Sequence, residues 1–540
     1  MTDSPIASEA TSVTVSSKPK PTHLFVLVHG LLGGPNHMQS IERCIKTLLP
    51  SESKHKIVTL RPSSFRFWKT FDGLKLNAER VITDILYEIE TLRQENNLKV
   101  EKISLVGYSL GGLISRYVIG MLEEIGFFDI VEPVFFTTFA TPHVGVEFLN
   151  NNVFDRTANA LGQYLFGYTG TQMFLTDSQS TLVSMADPEK KYIKGLLRFQ
   201  KHILLANVRN DRTVPFFTSF ISQHSPFDQW SIIKIKYLKD LPQAHIGRSH
   251  VRPKFVDLTR SHVLEPTSSD KGNIQEGTSF WRRNRFARFV VVVAVMSLLL
   301  PIWIPVIIIG SSFASMYSYI KLQIISTPQV ASHWDKVKGS VYGTKPVDPE
   351  DAEIGQNRRA QRKKLARHDT FKGDTSELTE NAMENMLYAE ARITGKSPRI
   401  TNDDETAEEL REEDTETEVD ETDADANNSI ISKFTKGLRA VDIDAAANDA
   451  AIDRHLQTLM TKDLTKFPVF TPKSKLNLSE DKRYIIENLN NIDWIKVPVY
   501  IDAWNAHDGI IARRGPRTNT KGTATIGLWV SILRRHLQEN

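Results

Sequence analysis

The segment that most constrains how this 540-residue chain can fold is Lys102–Ser115, KISLVGYSLGGLIS. Its first part, Lys102–Val106, is an apolar run that predicts a short buried strand. The residues after the run favour a helix, so the chain must turn sharply between the two elements. Gly107 and Gly111 flank that turn, where a strand and a helix have to approach each other closely. The segment therefore predicts a strand–turn–helix unit with Ser109 in the turn.

Residues 107–111 have the form G-x-S-x-G, which predicts a strained backbone at Ser109 and a hydroxyl exposed above a helix N-terminus. A hydroxyl in that position can act as a nucleophile. Because the chain has 28 glycines, the pattern by itself is weak, and the alternative is a glycine-rich turn with an idle serine. The strand-forming run before the box and the helix-forming run after it favour the nucleophile.

A second glycine-rich turn lies nearer the N-terminus. Leu24–His29 is a continuous apolar run, as expected for a strand buried on both faces of a parallel sheet, and HGLLGG at 29–34 follows it. Such a loop can direct free N–H groups into a cleft and form an oxyanion hole with the residue after the nucleophile. The candidate donors are the backbone N–H groups of Leu31 and Leu110; the alternative is an ordinary strand–helix turn. We expect a structural role for His29.

Strands and helices alternate along the first half of the chain. Further strands are predicted at Lys56–Leu60, Val134–Ala140 and His202–Val208, with an amphipathic helix at Asn77–Gln94. Alternating β and α units with apolar strands predict an α/β fold with a doubly wound, mostly parallel sheet. This is an α/β-hydrolase pattern.

The segment from Val146 to about Tyr192 is predicted to be a helical cap outside the sheet. It is apolar enough to form a mobile lid, but a cap packed permanently on the sheet fits the pattern equally well. His143 follows the strand Val134–Ala140 and precedes every plausible acid, so we expect it to fix a loop.

Two residues complete a candidate catalytic triad in the chain order Ser, Asp, His. Asp211 comes just after the strand His202–Val208, and His507 comes just after the last apolar strand, Ile495–Ala503. Asp211 could instead stabilise its own loop through an Asx turn, and His507 could be a surface histidine. The other acids and histidines considered lack that placement: Asp187, Asp228, Asp240, His245, His250 and His262.

The residues from Glu265 to Phe470, 206 in all, do not continue the hydrolase pattern, and removing them leaves 334 residues, a sensible size for one domain. Within them, Phe289–Ile320 has 32 residues without a charge and is interrupted by Pro301 and Pro305. As one helix it would be about 48 Å long, against ~30 Å for the hydrocarbon core, whereas each half is too short to span it. The segment therefore predicts a hairpin that enters one leaflet of a membrane.

The position of this segment supports a hairpin for a second reason. Ser109 and Asp211 precede it and His507 follows it, so a single crossing would separate the triad across the bilayer.

Two charged segments follow the predicted hairpin. The basic run at 358–367 is predicted to be a solvated linker or to contact anionic lipid headgroups. Asp403–Asp425, with fourteen acidic residues, is predicted to be a disordered spacer.

These observations divide the chain into six parts. They are a disordered tail at 1–21, the first part of the hydrolase domain at 22–264, a basic linker at 265–285, the apolar hairpin at 286–322, a largely disordered charged insertion at 323–470 and the end of the hydrolase domain at 471–540.

Composition limits the partners and the compartment. A formal net charge of +3 gives no indication of a nucleic-acid partner, and no carboxylate or histidine cluster has the spacing of a metal site. Cys44 is the single cysteine, which excludes internal disulfides and fits a reducing compartment; we expect it to fill the core. The N-terminus lacks the apolar region of a secretory signal, so we expect a cytosol-facing catalytic domain.

The motifs HLFVLVHGLLGGPNHM, GYSLGG, FATPHVG, ANVRNDRTVP and AHDGIIARR occur in this order. With them the chain resembles the fungal serine esterase/lipase family of α/β-hydrolases, and within it the lipid-droplet phospholipases, over about Thr22–His262 and Arg483–Asn540. Tyr108 departs from the G-H-S-x-G form that is common in lipases.

The resemblance implies hydrolysis of acyl esters of glycerophospholipids through Ser109, Asp211 and His507, without a cofactor. It also implies a membrane or lipid-droplet surface as the partner, on a lipid droplet, the endoplasmic reticulum or both. Protein partners cannot be predicted. The alternatives are a neutral-lipid lipase, an acyl-protein or acyl-CoA thioesterase, and a lipid-surface scaffold without activity.

Overall fold

A computed structural model describes most of the predicted hydrolase domain and a few segments of the insertion. The described residues are 18–49, 54–149, 153–239, 241, 244–246, 249–264, 329–343, 442–443, 455–456, 458–460, 462–503, 505–516 and 519–539. The predicted hairpin at 286–322, the linker at 265–285 and the acidic run lie outside them. Among the helices that are described, none has both the length and the apolar character needed to cross a membrane.

The described part of the chain contains eleven strands. They are β1 Lys20–Val28, β2 Lys56–Leu60, β3 Leu98–Tyr108, β4 Glu132–Phe139, β5 Lys201–Asn207, β6 Ile233–Lys234, β7 Ala244–Ile246, β8 Ser249–Val251, β9 His262–Val263, β10 Asp442–Ile443 and β11 Trp494–Val499. Six of them form the central sheet in the order β11-β5-β4-β3-β1-β2, and every neighbouring pair is parallel. The prediction of a parallel α/β sheet is confirmed, and β1 begins two residues inside the predicted N-terminal tail.

The helices, numbered in chain order, are α1 Gln39–Leu48, α2 Leu74–Asn96, α3 Leu110–Glu124, α4 Val153–Leu165, α5 Gly167–Met173, α6 Thr181–Ser184, α7 Lys191–Leu197, α8 Phe216–Ser219, α9 Gln329–Val337, α10 Glu480–Asn490, α11 Ala506–Gly509 and α12 Thr520–Glu539. Helices α1 and α12 contact each other on one face of the sheet, and α2, α3, α7 and α9 contribute to the core on the other. The sheet is thus the middle layer of three.

Successive side chains of β1 point to opposite faces of the sheet, and both faces are buried. Leu24, Val26 and Val28 lie in the core shared with α2 and α3, whereas Phe25 and Leu27 lie in the core shared with α1 and α12. All five side chains are fully buried. A continuous apolar run is therefore required here, since successive side chains point to opposite faces.

One segment of the insertion is part of this core. In α9, Val330, Trp334 and Val337 are buried, and the Trp334 ring, 1% exposed, lies 4.8 Å from that of Phe127. Their spacing of four and three residues places them on one side of the helix. This segment lies within the charged insertion predicted at 323–470, and its packing could not be predicted, because three apolar residues do not stand out among so many charged ones.

The end of the insertion also packs against the domain that contains the central sheet. Phe467, Val469 and Phe470 are buried in the same core as α2 and α3, and the Phe470 ring stacks on that of Phe220. The ordered C-terminal part therefore begins before the predicted boundary at residue 471. It leads through α10 into β11, which places the last strand beside β5.

Candidate active site

Ser109 lies at the sharp turn between β3 and α3, at the carboxyl edge of the central sheet. Its backbone has φ 54° and ψ −128°, a strained conformation for a residue with a side chain, and its N–H donates to the Phe139 carbonyl at 2.9 Å. The two flanking glycines are required by space. A Cβ on Gly107 would lie 2.4 Å from the Gly112 Cα, and one on Gly111 would lie 2.2 Å from the Val28 oxygen.

The three residues predicted as a triad meet at this edge. The Ser109 Oγ lies 2.9 Å from the His507 Nε2, and the His507 Nδ1 lies 2.9 Å from the Asp211 Oδ2. His507 and Asp211 are buried side chains, whereas Ser109 is partly exposed. The chain reaches this arrangement from β3, β5 and β11, which all end at the same edge. A hydroxyl, an imidazole and a carboxylate are thus within hydrogen-bonding distance, which is the arrangement that a catalytic triad requires.

Asp211 is fixed by donors from its own loop and strand. Its Oδ1 accepts from the Val214 N–H at 2.9 Å and from Thr213, and its Oδ2 accepts from the Asn207 amide at 2.9 Å. Burial raises the pKa of Asp211, but His507 and these donors lower it by more, so the carboxyl has a pKa below its ordinary value. Asp211 therefore stabilises its own loop through an Asx turn and also occupies the predicted triad position.

The loop that carries His507 is tied directly to the acid loop. The Ala506 N–H donates to the Asn210 oxygen at 3.1 Å, and the Asn207 amide donates to the Ala506 oxygen at 3.1 Å. Asn505 caps α11 by accepting from the His507 N–H. Burial lowers the pKa of His507, but the Asp211 carboxylate raises it by more, so it lies above the ordinary value of 6.5.

This shift predicts the pH dependence of catalysis. His507 must be neutral to accept a proton from Ser109, so kcat/KM falls about tenfold per pH unit below the pKa of His507. Because that pKa is raised, the acid limb has its midpoint above pH 6.5. We expect this profile with a soluble short-chain ester between pH 5 and 9, with folding followed by circular dichroism. A midpoint below pH 6 in the folded protein would contradict the assignment of His507.

The two predicted oxyanion donors flank Ser109. Within the described residues, the N–H groups of Leu31 and Leu110 have no hydrogen-bond acceptor in the protein. Gly30 brings the Leu31 loop close to the nucleophile, since a Cβ there would lie 2.8 Å from the Ser109 Cβ. Two backbone donors are therefore available beside the hydroxyl, as an oxyanion hole requires.

The conformation of the Leu31 loop depends on Thr70, which the sequence analysis does not single out. Leu32 has φ 53°, and its N–H donates to the Thr70 Oγ1 at 3.0 Å. The Thr70 carbonyl accepts from the Thr169 hydroxyl of α5 at 2.7 Å, so the same fully buried residue also holds the cap. The sequence signal was slight: one threonine in a segment rich in aromatic residues, FRFWKTF.

Replacing Thr70 by Val is expected to lower kcat about 10- to 100-fold with little change in KM. The substitution keeps the shape of the side chain but leaves the Leu32 N–H without its acceptor, so the oxyanion donor beside it is no longer held in place. Steady-state kinetics on a soluble ester measures the effect. Thr70→Ser, which keeps the hydroxyl, should retain most of the activity, and equal losses in both variants would refute this role.

The remaining sequence predictions concern single residues. His29 stacks on Phe65 at 4.1 Å and bonds to the Gly30 oxygen, and burial lowers its pKa to about 3. The His143 Nε2 bonds to Thr138, with its ring fully buried. Cys44 is buried in the core, where burial raises the pKa of its thiol to about 12. These contacts are consistent with a structural role for each of the three residues.

Part of the chain is similar to known serine esterase sequences. Residues 18–224 match the sequence profile of the family described as "Putative serine esterase (DUF676)". This part of the chain is similar to that family. The matched region includes the Leu31 loop, Ser109 and Asp211, whereas His507 lies beyond it.

The chain is also similar to fungal proteins that carry the name of lipase. It is 31% identical over 210 residues to "Putative lipase C4A8.10" of Schizosaccharomyces pombe, covering 37% of this chain and 26% of that protein. It is 28% identical over 260 residues to "Putative lipase ROG1" of Saccharomyces cerevisiae, covering 46% and 36%. The alignments therefore span well under half the length of these relatives.

Among solved structures, a lipase-esterase related protein from Clostridium acetobutylicum matches 33% of this chain and 59% of its own, with 13% identity and a TM-score of 0.17. A likeness at that level does not establish a common fold.

Proposed function

We propose that this chain is a serine lipase or phospholipase that hydrolyses acyl ester bonds of glycerophospholipids at a membrane or lipid-droplet surface. The observation that carries the proposal is the pair of 2.9 Å contacts that join Ser109, His507 and Asp211 beside two unpaired backbone donors. The serine esterase family and the relatives named as lipases support an ester substrate.

The proposed reaction has two steps. The Ser109 Oγ attacks the ester carbonyl while His507 takes its proton, and the N–H groups of Leu31 and Leu110 bind the oxyanion. His507 then gives the proton to the leaving alcohol, which departs and leaves an acyl group on Ser109. Water attacks this acyl-enzyme with His507 as base, so the free fatty acid is released and Ser109 regains its proton. Asp211 orients the imidazole and stabilises its charged form.

The contact between Ser109 and His507 also bears on topology. The two residues lie on either side of 286–322 in the chain and are hydrogen-bonded within one protein. If the apolar segment enters a bilayer, both of its ends must therefore return to the same side. We propose a cytosol-facing hairpin on the endoplasmic reticulum, lipid droplets or both. Protease should cleave tags placed before and after the segment in intact microsomes; protection of one tag would overturn the hairpin.

Activity on a panel of lipids tests the substrate. Phosphatidylcholine vesicles, triglyceride emulsion and soluble acyl-CoA are compared at equal acyl concentration, with Ser109→Ala as the control for each. The proposal expects fatty acid release from the vesicles, at a rate above that from the other two, and none in the variant. Preferred cleavage of triglyceride or of acyl-CoA would instead identify a neutral-lipid lipase or a thioesterase. No Ser109-dependent release from any of them would favour a scaffold.

A further inference from the structure

The residue before the nucleophile is hydrogen-bonded to the residue after the base. The Tyr108 hydroxyl donates to the Asp508 Oδ1 at 3.0 Å, across 400 positions of sequence. Tyr108 precedes Ser109, and Asp508 follows His507. The bond therefore joins the nucleophile turn to the loop that carries the base. It also gives a role to the tyrosine by which this chain departs from G-H-S-x-G.

Asp508 extends the connection to a third loop. Besides Tyr108, its carboxylate accepts from the Arg513 Nη1 at 3.0 Å and from the Asn505 amide at 3.1 Å. The Arg513 Nη2 lies 2.9 Å from the His37 Nε2, so the guanidinium can donate to the imidazole. His37 follows the glycine-rich oxyanion loop, in a short 3-10 turn that starts at Pro35. A single chain of hydrogen bonds thus reaches all three loops around Ser109.

Burial and charge define the direction of each bond. Burial and the adjacent Asp508 raise the pKa of Tyr108 well above its ordinary value, so the phenol keeps its proton and donates. Burial raises the pKa of Asp508, but Arg513 and His507 lower it by more, so the carboxylate accepts. The Tyr108 ring also lies against the imidazole of His507, with 5.0 Å between ring centres and 39° between planes.

We propose that Tyr108, Asp508 and Arg513 form a positioning network that holds the nucleophile, base and oxyanion loops in register. The inference rests on the proposed function, since it concerns the efficiency of the same Ser109 and His507. Such a network is needed because the insertion separates His507 from Ser109 in the chain, so neighbouring sequence does not fix the distance between the two residues. Small displacements of a base are costly, about 100-fold for 1 Å.

A double-mutant cycle tests the network in the full chain. Tyr108→Phe removes one hydroxyl and should lower kcat about tenfold, with KM within about twofold of the wild-type value. In an Asp508→Asn background, Tyr108→Phe should lower kcat by less than about threefold, which is half of the tenfold effect on a logarithmic scale, because the partner of the hydroxyl has changed. A kcat of Tyr108→Phe within twofold of wild type, or equal effects in both backgrounds, would overturn the proposal.

The pH profile separates positioning from a merely structural role. The charged groups that face His507 are Asp211, Asp508 and Arg513, with Ser109 and Tyr108 as its uncharged neighbours. Asp508→Asn removes a negative charge and leaves Arg513, so the acid limb of kcat/KM should move to lower pH by about half a unit or more. An unmoved limb in the folded variant would contradict the network.

Tyr342→Phe is the matched control. Its hydroxyl donates to the Val100 oxygen at 2.7 Å, near the opposite end of β3 from Ser109, and its loss should leave kcat unchanged. If Asp508→Asn does not fold, the network is tested by comparing the kcat of Tyr108→Phe with that of Tyr342→Phe. An inactive wild-type protein would refute the proposed function, whereas an active wild type with an unaffected Tyr108→Phe would refute the network alone.

Discussion

Replacing His507 by Ala is expected to lower kcat about 10⁶-fold while the protein remains folded. The imidazole is the group within 2.9 Å of the Ser109 Oγ that can remove its proton, and a serine hydroxyl is a weak nucleophile without that transfer. The residual rate would reflect substrate binding and the backbone donors of the oxyanion hole. Hydrolysis of a chromogenic ester by the full chain measures the loss.

The matched control for this substitution is His262→Ala. His262 is exposed and bonds to the Arg260 oxygen, and it is one of the histidines that lack the position expected for the base. Its removal should change kcat by less than twofold. A large loss in His262→Ala together with a small one in His507→Ala would reject the assignment of the base.

Replacing Asp211 by Asn is expected to lower kcat about 10⁴-fold with KM nearly unchanged. An asparagine can occupy the same space, but it supplies no negative charge to stabilise the imidazolium, and its amide can hold the ring in the wrong tautomer. The carboxylate also accepts from Asn207 and Val214, so the variant should additionally lose some stability. Steady-state kinetics and urea unfolding measure the two effects separately.

Asp187→Asn is the corresponding control. Asp187 accepts from the Glu189 N–H in a turn between α6 and α7, and it lacks the position after a strand that a triad acid requires. We expect its kcat to match that of the wild type. An Asp211→Asn variant with more than a tenth of wild-type kcat would show that another group orients His507.

Sequence alone was sufficient for the sheet and for the residues at its carboxyl edge. Leu24–Val28 is apolar at every position, which is required where both faces are covered. Ser109, Asp211 and His507 each follow a largely apolar strand, and parallel strands bring those ends to one edge. Their proximity could therefore be predicted without knowledge of any side-chain contact.

The contacts that hold the site together could not be predicted in the same way. Thr70 acts through its hydroxyl on Leu32, and Tyr108 meets Asp508 across 400 positions, so neither pair has a local sequence signature. The packing of α9 around Trp334 was missed for a related reason, since three buried residues in a long charged segment do not change its average composition. Such pairings depend on the folded arrangement of the strands.

Labelling with a fluorophosphonate tests the central claim most directly, because the reagent reacts with an activated serine and marks the residue covalently. The full chain should be labelled at Ser109, as mapped by mass spectrometry of the peptide. Ser109→Ala should show no labelling, and in His507→Ala the rate should fall at least 1,000-fold, about 4 kcal/mol in activation free energy. Labelling of another serine, or an undiminished rate in His507→Ala, would contradict the account of a nucleophile activated by a base from the far end of the chain.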